Sequence, residues 1–268
     1  MIKVVKINDS LNVSFNYDAD IVSKIKSIPG RKYNPNSKSW DIPLYTIKIL
    51  LTLFDESELD IDKDVELDYV KPKYDFKYEL STITNNDLKV FAKWSLDMLP
   101  DYFYQVPASS SGKYHPSYAQ GEEGLVRHTQ AALRIANELF KCETIQTFID
   151  IEKDIVRVSL LLHDGVKHGT DGSAHTVVTH PLEVVKYLEN KYWEVDEDTL
   201  PEEVIEVMEG NLWEGISYCI KSHMGQWNKD YEGKEILPKP ETPVEAFVHL
   251  CDYLASRKLL EVNFSVEG

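Results

Sequence analysis

Hydrophobic and polar positions change period along this chain. In "MIKVVKIN" (1–8) and "LNVSFN" (11–16) apolar residues alternate with polar ones, which predicts two strands with one buried face. Asp20 is placed to cap a short helix over 21–27, and "SIPGRKYNPNSKSW" stops it. Pro29 and Gly30 mark a turn. "YNPNSKSW" predicts a hairpin loop feeding a strand at 39–43, with a further helix over about 44–54. From about residue 85 the period becomes helical, over 85–99, 123–141, 151–163, 180–190, 202–209, 213–223 and 243–261. Residues 101–122, rich in Ser, Pro, Gly and Tyr, predict a long loop, and loops of that length in a compact domain often carry function. The expected fold is mainly α: an all-helical body preceded by a small α+β module.

The helical stripes contain polar outliers. His128 shares a face with Ala132, Ile135, Ala136 and Leu139; His163 with Val156 and Leu160; His180 with Val184 and Leu188. His223 shares one with Ile216, Cys219 and Ile220, and Asp252 with Val248, Ala255 and Leu259. Asp164 stands beside His163. One inward histidine is usually a satisfied core residue. Four imidazoles and two carboxylates on inward faces are different, because a buried carboxylate costs several kcal/mol unless it is paired or bound to a cation. Bound metal explains the set best. His and Asp ligands suit Mn, Fe, Co, Ni or Zn, with Mg also compatible.

Composition changes the picture in two places. The net charge of −16 argues against general nucleic-acid affinity, but residues 1–54 hold eight Lys/Arg against four Asp/Glu. That segment is therefore +4 and the remainder −20. All eight histidines lie between His115 and His249. The stretch "DESELDIDKDVELD" (55–68) holds eight acidic residues and one lysine, and reads as an acidic linker or an edge strand. The expected organisation is a basic α+β module over 1–56, an acidic linker or edge segment over 57–84, and a helical domain over 85–268. Three widely spaced cysteines, Cys142, Cys219 and Cys251, suggest reduced thiols and no zinc knuckle. No apolar run reaches about 18 residues and the first ten residues lack a signal-peptide core, so the expectation is a cytoplasmic protein with no membrane contact.

The order His128, His163-Asp164, Asp252, within "GLVRHT", "LLLHDGVKHG" and "LPKPETPVEAFVHLCDYLASR", resembles the HD superfamily of metal-dependent phosphohydrolases. "PASSSGKYHP", "THPLEVV" and "IKSHMGQW" extend the resemblance across residues 100–261, especially to HD-domain 3′-to-5′ exoribonucleases. One departure is "HDGVK", where many relatives read His-Asp-aliphatic-Gly-Lys; Lys167 is kept and the glycine is moved. The resemblance implies two divalent metals per chain. Asp164 would be shared, His128, His163 and Asp252 would complete one shell, and His180 and His223 would hold the second ion. Asp164, Lys167, Lys113 and His115 are the candidate catalytic residues. Ser110, Lys113, Arg127, Lys167 and Trp227 are candidate substrate contacts. His168 and His175 are lesser candidates, and His249 reads as structural.

Phe15, Tyr17, Ile28, Pro29, Arg31, Tyr33, Asn34, Trp40 and Pro43 are similar to the HARP domain attached to annealing helicases, which implies contact with branched or single-stranded DNA. Lys26, Arg31, Lys32 and Lys38 can face phosphates while Tyr33 and Trp40 stack on bases; the plainer reading packs those aromatics into a small core. Together the two resemblances imply a phosphodiesterase acting on single-stranded nucleic acid from a 3′ end. The alternative is a phosphohydrolase of small nucleotides, such as nucleoside triphosphates or signalling nucleotides. A third reading makes the chain a non-catalytic binding factor. RNA versus DNA and oligomeric state leave no signal in the sequence.

Overall fold

The computed structural model describes residues 1–7, 10–28, 31–65, 67, 76–109, 115–142, 144, 147–173, 175–196 and 199–264. The alternating N-terminal segments form β1 (Ile2–Ile7) and β2 (Ser10–Ser14), paired antiparallel with Val4 opposite Val13. A hairpin of β3 (Lys32–Asn34) and β4 (Ser39–Pro43) adds to β2, and β5 (Leu59–Ile61) adds parallel to β1, giving the order β3-β4-β2-β1-β5. Ile2, Val4, Leu11, Val13 and Ile42 are buried. They share one core with Ile25 of α1 (Ala19–Ser27), Ile28, and Ile47 and Leu50 of α2 (Ile47–Leu53).

Two sequence expectations change here, and one left open is decided. Asp18, not Asp20, caps α1: it sits in extended backbone and its carboxylate accepts from the Asp20 and Ile21 amides, while Asp20 lies in the first turn. The 44–54 helix opens as a 3-10 turn, Leu44–Thr46, before α2. The acidic stretch contains the edge strand β5, and Val65 beyond it is buried in the module core. At the other end of 57–84, Phe76, Ile83 and the short α3 (Lys77–Ser81) belong with the helical body. The segment is thus divided between two bodies. The turn expected at Pro29 and Gly30 lies outside the described residues.

The second core is helical: α4 (Asn86–Met98), α5 (Gly124–Phe140), α6 (Asp150–Leu162), α7 (His180–Glu194), α8 (Glu202–Glu209), α9 (Asn211–Ser222) and α10 (Pro243–Ala255). Two starts carry side-chain caps that fix them. Asn85 accepts from Leu88 N, and Thr242 accepts from Glu245 N while donating to the Glu245 carboxylate. The α10 stripe was expected to run to residue 261, yet the helix ends at Ala255. Ser256 N closes the last turn on Asp252 O, and Leu259 is exposed rather than inward. Conversely, α7 runs four residues past its expected end. The long loop contains the 3-10 turns Asp101–Tyr104 and Ser117–Ala119.

α5 packs on α6 and α10, α6 on α4 and α9, α9 on α10, and α7 on α9. The inward faces of α5, α6, α9 and α10 therefore meet, with the start of α7 alongside. Among the described residues no helix is long and apolar enough to cross a membrane.

Candidate metal centre

All six inward polar residues come together. His128 projects from the buried face of α5, and Asp252 from α10. His163 and His223 are the C-cap residues of α6 and α9, and His180 opens α7. Asp164 lies at the centre. Its Oδ2 is 3.6 Å from His128 Nε2 and 3.5 Å from His163 Nε2; its Oδ1 is 3.0 Å from His180 Nε2 and 3.8 Å from His223 Nε2. Asp252 Oδ1 stands 3.0 Å from His128 Nε2 and 3.5 Å from His163 Nε2. Gly165 follows Asp164, and a Cβ there would lie 2.6 Å from a Leu99 methyl and 3.0 Å from Val184. The glycine that departs from the expected order thus lets α7 approach the aspartate.

Three of the rings have their orientation and tautomer set by backbone. Nδ1–H of His163 donates to Leu160 O (2.8 Å), that of His180 to Val177 O (2.7 Å), and that of His223 to Ile220 O (2.7 Å). Leu160 O and Ile220 O are last-turn carbonyls, which helix ends leave in need of donors. A carbonyl only accepts, so each Nδ1 carries a proton, and each Nε2 points inward, offering a lone pair wherever the ring is neutral. The result is a cluster of acceptors. His180 Nε2 and His223 Nε2 face each other at 3.4 Å, His163 Nε2 lies 3.4 Å from His128 Nε2, and the carboxylates lie close to all of them. Only protons or cations reconcile such contacts.

The electrostatics agree. Burial alone would raise the carboxyl pKa of Asp164, but Lys167, His163 and His180 outweigh it and hold the group well below its ordinary range. Asp252 is likewise held well below that range, burial being outweighed by His128 and His163. Burial opposes charge on His163, yet the two carboxylates raise its pKa. Burial lowers His223 to about 3, helped by the neighbouring His163 and His180. The groups His128–His163–Asp252 and His163–Asp164–His223 each bring three ligand atoms within 4.8 Å of one another, a geometry that could hold a metal ion. The donors are imidazole nitrogens and carboxylate oxygens with no thiolate, a set that fits Mn, Fe, Co, Ni or Zn in an open site.

The remaining candidates divide. Lys167 is at the site, its ammonium 2.5 Å from Asp164 Oδ2. The half-buried His115 stacks edge-on to His128 with ring centroids 5.7 Å apart; its Nδ1 is buried without a partner, and burial lowers its pKa to about 3. Arg127, expected to contact substrate, instead donates to the carbonyls of Tyr118, Gln120 and Glu122 and pairs with Glu123. Its guanidinium is used in shaping the 118–123 loop. Ser110 and Lys113 lie outside the described residues. His175 is exposed.

Two features escaped the sequence pattern, the burial of His168 and the stacking of Trp227. His168 is buried beside Tyr102 with neither ring nitrogen hydrogen-bonded, and burial lowers its pKa to about 4. His249 has the structural role its sequence position suggested: its Nδ1–H donates to the backbone carbonyl of His223 (2.7 Å). Trp227 stacks on Tyr253, with ring centroids 5.5 Å apart and planes 12° off parallel. The spacing of His249, Tyr253 and Arg257 at i, i+4 and i+8 was the available signal for that cluster.

In the N-terminal module, Lys26, Lys32 and Lys38 are exposed. Arg31 is half-buried and donates to Ile28 O. Tyr33 and Trp40 are cross-strand partners with rings 5.0 Å apart. Trp40 packs on the module core, while Tyr33 keeps 52% of its surface exposed. The two proposed base-stacking residues therefore differ: one is largely structural, the other available.

A helical body enclosing a buried His/Asp cluster thus follows an α+β module with a basic, partly aromatic surface. Residues 11–54 match the family model described as HepA-related protein (HARP), and that segment is a HARP-like module. No curated protein and no solved structure matches the chain.

Proposed function

We propose that this protein is an HD-superfamily metal-dependent phosphohydrolase that cleaves nucleic-acid phosphodiester bonds, working from a 3′ end as its sequence resemblance implies. The observation that carries this reading is the acceptor cluster: four imidazoles and two carboxylates converge from five helices, three of them with Nδ1 tied to backbone and Nε2 aimed inward. The two oxygens of Asp164 face different histidine pairs, which supports a ligand shared between two ions. His128, His163 and Asp252 would complete one shell, and His180 and His223 the other. Divalent cations held by these residues would supply positive charge for phosphoryl oxygens and would acidify water toward neutrality. Lys167 holds its ammonium at the same place, where it can meet a non-bridging phosphate oxygen. The HARP-like match supports a polymer substrate gripped by the N-terminal module. The −20 charge outside residues 1–54 favours a second reading, hydrolysis of small nucleotides.

One screen separates them: the metal-loaded full chain on oligonucleotides and on mononucleotides side by side. The polymer reading expects oligonucleotide cleavage and single-strand binding that weakens steeply with salt. Asp164→Ala is expected to lose bound metal, read by elemental analysis, together with hydrolysis. Full metal content or full activity in that variant would refute the shared-ligand role.

A further inference from the structure

Five of the six clustered side chains are sealed from solvent, but Asp252 keeps 18% of its surface exposed, so the site opens on the α10 side. Residues close in sequence to two of the clustered ligands build an aromatic cluster, joined to the site through the backbone of His223. Trp227, four residues after His223, stacks on Tyr253, the residue after Asp252. The Arg257 guanidinium lies 4.9 Å from the Tyr253 ring centroid and 5.1 Å from that of Trp227. The His249 ring packs against Trp227 and is anchored to His223 O. Trp227 is held on several sides and still exposes 40% of its surface. A core tryptophan would be closed over; this one is packed against three side chains and accessible.

We infer that Trp227, supported by Tyr253, is a base-stacking platform that binds the nucleobase next to the phosphate presented to the His/Asp cluster. This deepens the proposed function and rests on it for the phosphate. A flat aromatic surface with a cation nearby is the chemistry that holds a nucleobase, and every base offers a π-face. The platform would make binding depend on a base being present without choosing its identity.

The test is equilibrium binding to the full-length protein, by calorimetry, of adenosine 5′-monophosphate and of ribose 5-phosphate, which lacks the base. The wild type is expected to prefer the nucleotide by roughly tenfold to a hundredfold. Trp227→Ala should erase that preference and leave the ribose 5-phosphate affinity unchanged. Trp227→Phe, which keeps a stacking face and fills the space, should retain most of it while losing the nucleotide-induced quench of tryptophan fluorescence. Equal affinity for the two probes in the wild type, or equal weakening of both by Trp227→Ala, overturns the platform. A Trp227-dependent base preference in a protein that hydrolyses no phosphoester supports the platform and overturns only the hydrolase reading.

Discussion

Gly225 has φ +55°, two residues after His223, and a Cβ on it would lie 2.4–2.6 Å from three atoms of the His249 ring. That ring is the one that donates to His223 O, so the glycine gives the anchor its room. Gly225→Ala is expected to destabilise the fold by about 1–3 kcal/mol through backbone strain and displacement of His249. In a His249→Ala background the same change should cost less, because the clash is gone; urea unfolding of the four proteins checks the non-additivity. The metal-candidate side chains were legible in the sequence, since five of them take apolar positions on 3.6-period stripes and Asp164 stands beside one of the five. The anchors around them were not. They are backbone carbonyls of Leu160, Val177, Ile220 and His223, and a side-chain pattern carries no record of which carbonyl a ring will meet.

At the scale of elements, helices were readable to within a few residues wherever a cap or a turn bounded them. α10 overran because Leu259 and Leu260 continue an apolar rhythm that local bonding at Ser256 interrupts. The acidic 55–68 stretch left linker and edge strand both open because its charges are what an exposed edge tolerates, and the partner that decides for β5 lies more than fifty residues earlier. One unremarked residue ties elements together. Asp154, fully buried on α6, accepts from Thr84 N, Thr84 Oγ1 and Asn85 N at the start of α4, and from Arg157. Asp154→Ala leaves those donors unmatched and is expected to cost about 3–5 kcal/mol in urea unfolding, the penalty of breaking a buried pair. Its metal content in the folded state should be unchanged, because the residue touches none of the clustered ligands.

For the molecule as a whole, the buried histidines set the response to acid. Folding lowers His115 and His223 to about 3 and His168 to about 4, against roughly 6.5 in an unfolded chain. Below that value the unfolded state binds more protons, so each of these groups contributes stability that is lost as pH falls toward 3–4. His163, raised by its carboxylates, works in the opposite direction, and three outweigh one. The metal-free protein should therefore melt at progressively lower temperature between about pH 7 and about pH 5, before most carboxylates titrate. His168→Phe should flatten that slope. An unchanged slope would show that His168 is not buried in its neutral form.

The N-terminal sheet carries a practical corollary. β1 lies between β2 and β5, yet the family match begins at residue 11 and stops at 54, leaving out both β1 and β5. A fragment cut at those limits would present the bare flank of β2. One that kept β1 but ended at 54 would present the flank of β1 instead. Either strand would be free to recruit a neighbouring molecule in place of its missing mate. Excised pieces of that kind should self-associate, whereas one running through Val65 keeps its outermost strand and should stay monodisperse.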